Sequence, residues 1–248
     1  MLLGIAPGAC VSGQQGQGPR EWPVHSMERP RPPVVTPAPA GAPVAPPSDA
    51  VVLFGAAGLE EWQHEDGRPA AWSVGRGWFE VAPGTGSIRS RRAFGDVQLH
   101  VEFATPAPPS GEGQGRGNSG VFLMGLYEVQ VLDSYENDTY PDGQAAAVYG
   151  QHPPLVNASR PPGEWQTLDV VFRRPRFGAG GELVEPARMS VHHNGVLVHD
   201  AVPLHGRTAH QRRATYEAHE DRLPLSLQDH GNPVRFRGVW VRDLEGAG

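Results

Sequence analysis

The sequence predicts an all-β fold, an antiparallel β-sandwich preceded by a disordered Pro/Gly-rich tether. Three observations point there. From about Ala50 the chain breaks into short apolar runs bounded by Gly, Pro and Asp, the pattern of strands and turns. Helical periodicity is almost absent: only residues 210–220 could form a helical turn or two, and their charge suits a surface excursion better. Asn194-Gly195 separates two strand-like runs and supplies the positive φ angles that a two-residue type I′ hairpin requires. Many short strands with regular turn signals build sandwiches of antiparallel sheets.

Taken in order, Val51-Val52-Leu53-Phe54 is a buried-type run, and Trp72-Ser73-Val74 and Gly77-Trp78-Phe79-Glu80-Val81 follow as short strands. Residues 97–103 alternate strictly, with Val97, Leu99, Val101 and Phe103 on one face and Gln98, His100 and Glu102 on the other. After a Pro/Gly loop at 105–117, residues 118–134 read as two strands joined by a glycine turn. On the second of these, Tyr127, Val129 and Val131 share one face, and Glu128 and Gln130 share the other. Residues 166–172 put Leu168, Val170 and Phe172 in phase, and 188–199 form the hairpin around Asn194-Gly195. In 225–230, Leu225 and Leu227 oppose Ser226, Gln228 and His230, and 234–244 close the domain. No internal repeat is evident.

Composition narrows the class. The 248 residues allow one large or two small domains. Hydrophobic residues are 38% and charged residues 19%, both low for a globule, and 32 Gly and 26 Pro account for the deficit. Much of that Gly and Pro lies in residues 11–48, which cannot bury a core and should form an extended, disordered linker. The folded domain is therefore expected over 49–245. A net charge of -6 and a pI near 6.0 give no electrostatic reason to expect nucleic acid. All 21 basic residues are Arg, which reads as genomic base composition rather than chemistry. The single cysteine, Cys10, excludes an intrachain disulfide and a Cys-based zinc site. Residues 1–10 end in small residues before Cys10, like the remnant of a bacterial lipoprotein signal, although the positive start and most of the apolar core are missing. The expectation is an exported bacterial protein, anchored to a membrane through a lipid on Cys10; a plain disordered N-terminus is the competing reading. No stretch approaches the roughly 18 apolar residues needed to span a bilayer.

Three strands thus have one oily face and one hydrogen-bonding face: Gln98/His100/Glu102, Glu128/Gln130 and Ser226/Gln228/His230. Amides and imidazoles recurring without Lys suggest a concave face that binds a sugar. The alternative is three ordinary exposed faces.

The order of motifs is more specific than any one of them. Val52-Leu53-Phe54-Gly55 with Leu59-Glu60-Glu61-Trp62, then Phe94-Gly95-Asp96-Val97, Asn118-Ser119-Gly120-Val121-Phe122, Tyr127-Glu128-Val129-Gln130-Val131-Leu132-Asp133, Val148-Tyr149-Gly150, Gly163-Glu164-Trp165 and Leu227-Gln228-Asp229-His230-Gly231 together resemble the 3-keto-disaccharide hydrolase domain family. The resemblance covers roughly residues 50–244. It implies a concanavalin A-like jelly roll and an enzyme that cleaves 3-keto-glycosides or 3-keto-disaccharides. Departures are the long loop before Asn118, expansions at 177–186 and 207–222, and Leu223-Pro224 where Gly-Pro is frequent. They bear on substrate choice more than on fold, because rim loops shape the pocket.

The implied chemistry needs one positioned base, a group or metal to stabilise an enolate, and an acid for the leaving group. Glu128 is the leading base, with His230 as alternative or as the acid partner. Gln130, Gln228 and Asn118 would bond sugar hydroxyls, and Arg116 or Arg235 would polarise the ketone. Asp133 completes the candidate binding set. No cofactor is certain; His100 and Glu102 are the candidate ligands of a divalent metal shared with Glu128 or His230. Each has a plain alternative: Asn118 capping a turn, Arg235 pairing with a surface acid, Asp133 holding a turn. Trp62, Trp72, Trp78 and Trp165 suit a sandwich core, or one of them a sugar-stacking surface. His192 and His193, being adjacent on a strand, should face opposite ways. Two further functions share the fold class: a non-catalytic lectin-like module, and a conventional glucanase. The latter is disfavoured by Leu132, where a second carboxylate would be expected.

Overall fold

The computed structural model describes residues 22–55, 58–213 and 215–245. Cys10, the expected signal remnant and the first part of the linker lie outside these residues. Fifteen strands occur among the described residues, and no α-helix. In chain order they are β1 (Val51–Val52), β2 (Trp62–His64), β3 (Ser73–Gly75), β4 (Trp78–Glu80), β5 (Ile88–Phe94), β6 (Val97–Ala104), β7 (Ser119–Leu123), β8 (Tyr127–Val131), β9 (Gln166–Arg173), β10 (Arg176–Phe177), β11 (Leu183–Glu185), β12 (Arg188–His193), β13 (Val196–Pro203), β14 (Leu223–Leu227) and β15 (Arg235–Asp243).

Two antiparallel sheets form the sandwich. The eight-stranded sheet runs β13-β12-β9-β6-β15-β4-β3, with β1 also paired to β15; the five-stranded sheet runs β2-β5-β14-β7-β8. A separate small hairpin joins β10 and β11. Alternation aims one face of each strand inward. Leu99, Val101 and Phe103 on β6 and Leu168, Val170 and Phe172 on β9 enter the core from the large sheet. Val121, Tyr127, Val129 and Leu227 enter from the small one, and the Tyr127 ring meets Phe172 across the layers with centroids 5.4 Å apart. Trp62 and Trp72 lie in the core, as expected, and His193 is buried while His192 is exposed.

The β12–β13 hairpin turns on Asn194 at φ 53° and Gly195 at φ 79°, the left-handed pair that a type I′ turn demands. Residues 210–220 hold no helix among the described positions. Pro224 sits in β14 at a register shift against β5, between Pro224 and Ser226. There Ser90 Oγ accepts from Leu225 N at 3.0 Å, so a proline is tolerated in an inner strand.

The linker is extended, but its described part does not stand free of the domain. It forms a strap that is pinned along its length. Val35 N donates to Asn157 O at 2.9 Å and Asn157 N to Pro33 O at 2.9 Å. Arg160 Nη2 donates to Ala38 O at 2.8 Å, and Val44 N donates to Glu102 Oε1 at 3.2 Å. Its low hydrophobicity keeps it out of the core, yet its backbone groups bond to surface acceptors and donors.

Candidate active site

Glu128 lines a pocket of about 320 Å³ on the outer face of the five-stranded sheet. Because Tyr127, Val129 and Val131 turn into the core, Glu128 and Gln130 must turn out. On the neighbouring β7, Phe122 lies opposite Glu128 and Gly120 opposite Gln130. Gly120 leaves the space that the carboxyl uses: a Cβ there would lie 2.5 Å from Glu128 Oε1 and 2.7 Å from the Phe122 ring.

β8 is an edge strand, and two loops cover its free edge. Gln130 N donates to Ala147 O at 3.0 Å and Tyr149 N donates to Glu128 O at 3.3 Å. Thr208 Oγ1 accepts from Glu128 N at 2.9 Å, and Thr208 N donates to Leu126 O at 2.8 Å. These bonds carry Tyr149, Thr208 and His210 to the pocket. The Tyr149 hydroxyl is 2.9 Å from the Tyr140 hydroxyl and 3.3 Å from His210 Nδ1.

The opposite wall comes from the turn after β14. Gln228 N donates to Gly120 O at 3.0 Å, and Ser119 Oγ donates to Gln228 O at 2.7 Å. Asp229 faces away and pins the turn: its Oδ2 accepts from Gly84 N at 2.8 Å and Gly86 N at 3.0 Å, and its Oδ1 from Gly231 N at 2.9 Å. Gln228 and His230 are thereby left facing the pocket. Asn118 also lines it, held by Nδ2 donating to Gln114 O at 2.7 Å.

Glu128 is 4% exposed, and among the described residues no Arg lines the pocket. Burial pushes its carboxyl up to about 8. The Gln130 amide, turned with its nitrogen toward the carboxyl, donates to Glu128 Oε1 at 3.0 Å and to Ser119 O at 3.2 Å. Burial also holds the Tyr149 phenol above its usual range, so it keeps its proton at neutral pH.

Of the sequence candidates, Glu128, Gln130, Asn118, Gln228 and His230 converge on this pocket. Gln228 and His230 do so from a turn rather than from a strand face, since β14 ends at Leu227. The others lie elsewhere. His100 and Glu102 are on β6 in the other sheet, facing away from the core under the strap. Glu102 is paired with Arg237, Nη2 to Oε2 at 2.7 Å, and His100 Nδ1 bonds Asp169 Oδ1 at 2.7 Å. They cannot share a metal with Glu128, because the core separates the two faces. Among the described residues no group of three His, Cys, Asp or Glu side chains is placed to hold a metal ion.

Arg235 is also on that far face, between Trp78 and Trp165 at 5.8 and 5.6 Å from their ring centres. It does not line the pocket, and those two Trp rings serve Arg stacking rather than the core. Arg116 and Asp133 pair with each other, Nε to Oδ2 at 2.8 Å. Asp133 Oδ1 also accepts from Tyr135 N at 3.2 Å, so the pair holds the loop after β8 instead of lining the pocket. Sequence reasoning assigned no role to Phe122, Tyr149, Thr208 or His210. Tyr149 stood in a recognised motif, but nothing in the charged stretch around His210 signals a site.

Comparison with known proteins identifies the family. No curated protein matches the chain. Among solved structures, a candidate glycosyl hydrolase from Parabacteroides distasonis ATCC 8503 is 39% identical, with a TM-score of 0.78 over 87% of this chain and 93% of that one. Two further candidate glycosyl hydrolases from the same organism share the fold at 18% identity, with TM-scores of 0.57 and 0.53 over 79% of this chain and 94% and 99% of theirs. Residues 49–242 match the 3-keto-alpha-glucoside-1,2-lyase-like domain, so the chain, by a match over most of its length, belongs to the family of 3-keto-alpha-glucoside-1,2-lyase-like domains.

Proposed function

We propose that this glycoside-hydrolase-like enzyme cleaves sugars already oxidised to a ketone at carbon 3, by removing the proton at carbon 2, eliminating the group on carbon 1 and adding water. One observation carries the reading: among the described residues Glu128 is the single carboxyl lining the pocket, and its burial pushes it up to about 8. A general base works best with a pKa near the operating pH. Hydrolysis of an unmodified glycoside needs two carboxyls flanking the bond. Leu132, where a second would stand, is fully buried and apolar. A ketone at carbon 3 removes that need, because it acidifies the neighbouring hydrogen.

In this mechanism the ionised Glu128 takes the hydrogen from carbon 2, giving an enolate whose oxygen is met by an amide donor such as Gln228. The electron pair then closes the double bond between carbons 1 and 2 as the bond from carbon 1 to oxygen breaks. The leaving oxygen takes a proton from His230 or from the Tyr149–His210 pair. Water adds to carbon 1 while carbon 2 regains a proton, and the 3-keto sugar is released. Asn118 and Gln130 orient the sugar hydroxyls.

The test is turnover of a 3-keto-glucoside or 3-keto-trehalose in D₂O. Free 3-keto sugar should appear with deuterium at carbon 2 beyond the enzyme-free exchange, and Glu128→Gln should lower kcat by about 10²–10⁴-fold, the usual contribution of a general base. Product without enzyme-dependent deuterium would eliminate the proton-abstraction route. Tight sugar binding with no turnover would replace the enzyme with a lectin-like module.

A further inference from the structure

Residues 22–31 precede the family domain, yet they lie against the loops that bring Tyr149 and His210 to the pocket. A tight turn, closed by Ser26 N to Pro23 O at 3.2 Å and Arg29 N to Ser26 O at 3.3 Å, holds His25 at φ 61°. That left-handed conformation costs a residue with a Cβ about 1 kcal/mol, so its neighbours must hold it. His25 N donates to Asp142 Oδ2 at 3.0 Å, and Arg29 Nη1 lies 3.9 Å from the same oxygen. The His25 imidazole stacks on Tyr140 with centroids 4.0 Å apart and planes at 19°. It meets Tyr149 edge-on at 5.0 Å and lies 5.6 Å from the His210 ring. Tyr140 in turn bonds the Tyr149 hydroxyl, which reaches His210. A single ring from the strap therefore contacts three side chains, two of which line the pocket beside Glu128. Burial holds His25 below its usual range, so it packs as a neutral flat ring.

We propose that His25 is a positioning residue that fixes the Tyr149–His210 pair at the pocket, so that the segment ahead of the family domain is part of the active unit. This rests on the reading above, in which the pocket turns over a 3-keto-glycoside. The match to the Parabacteroides structure covers 87% of this chain, more than residues 49–248 amount to, so the likeness begins ahead of the family domain.

The test uses the full chain with His25→Ala, His25→Phe and Glu128→Gln, assayed on a 3-keto-glucoside and followed by NMR of the Tyr and His ring signals. His25→Ala should lower kcat about tenfold with little change in KM, the scale expected when an acid group is misplaced, and should shift the Tyr149 and His210 ring signals. His25→Phe, which restores a flat stacking ring, should recover most of the rate. A wild-type rate in His25→Ala, or a His25→Phe no better than His25→Ala, overturns the proposal, as does a loss that tracks the unfolded fraction. If Glu128→Gln turns over like the wild type, the mechanism above fails instead. The ring signals then still report on His25: unshifted in His25→Ala, they overturn its positioning role; shifted, they uphold it.

Discussion

At the scale of single residues, the site depends on what is missing beside Glu128 as much as on what is present. Among the described residues no Arg lines the pocket, and Gly120 contributes no side chain where β7 passes it. A methyl group at that position would lie 2.5 Å from Glu128 Oε1 and 2.7 Å from Phe122 Cε2, closer than real Cβ contacts come. Both atoms belong to the ends of side chains, so they can move, and the strand pairing can survive. Gly120→Ala should therefore act on geometry more than on folding. Removing a glycine from a strand favours the strand by about 0.5–1 kcal/mol, which offsets part of the crowding. The expected outcome is a melting temperature within a few degrees of the wild type and, under the proposed mechanism, a kcat lower by at least about tenfold, because a displaced base would no longer meet its proton. Full activity would mean that the carboxyl has room this packing denies it.

At the scale of elements, the Gln228-Asp229-His230-Gly231 turn shows how alternation outlasts a strand. β14 stops at Leu227, but Asp229 still points opposite to its neighbours because Gly84 N and Gly86 N hold its carboxylate. Asp229→Ala should remove those bonds, cost about 1–2 kcal/mol, and loosen Gln228 and His230 together. A several-fold rise in KM for the sugar, larger than the change in kcat, would separate loss of positioning from loss of chemistry; an unchanged KM would show that the turn is held by other means. Strands with a clean period of two, such as β6, β8 and β9, were legible in the sequence. β5 was not, because Arg89, Arg91 and Arg92 interrupt its apolar pattern and it is recognisable only through its partners β2 and β14. The covering of β8 by residues 146–149 and Thr208 was hidden for the same reason: it is made of backbone bonds between distant segments, which leave no periodic trace.

For the whole molecule, alternation says that a strand has two faces but not which sheet it joins. β6 and β8 carry the same kind of pattern and end on opposite sides of the sandwich. Glu128 and Gln130 open into a pocket, whereas His100 and Glu102 are sealed beneath the strap and neutralised by Asp169 and Arg237. The two burials displace protonation for different reasons. Desolvation raises Glu128 to about 8 by disfavouring its charge. At His100 desolvation works in the other sense, but the bonds from Asp169 and Glu102 outweigh it and raise the imidazole to about 9. Both groups bind protons more tightly in the folded chain than unfolded, so both weaken the fold as pH rises. The Glu128 contribution is complete below its ordinary value of 4.5 and is lost by about 8; that of His100 is complete below 6.5 and is lost by about 9. Burial lowers His193 and His199 to about 3 and 4, and these work in the opposite sense below 6.5, so the fall in thermal melts should show between about pH 6.5 and 9.5, of order a few kcal/mol in total. Relative to the wild type, Glu128→Gln should become progressively more stable up to about pH 8 and hold a constant difference above it, with the fall from His100 still in place. A Glu128→Gln curve parallel to that of the wild type would mean that the carboxyl is solvated and charged in the native pocket, and Glu128 would lose the property that suits it to the proposed role of base.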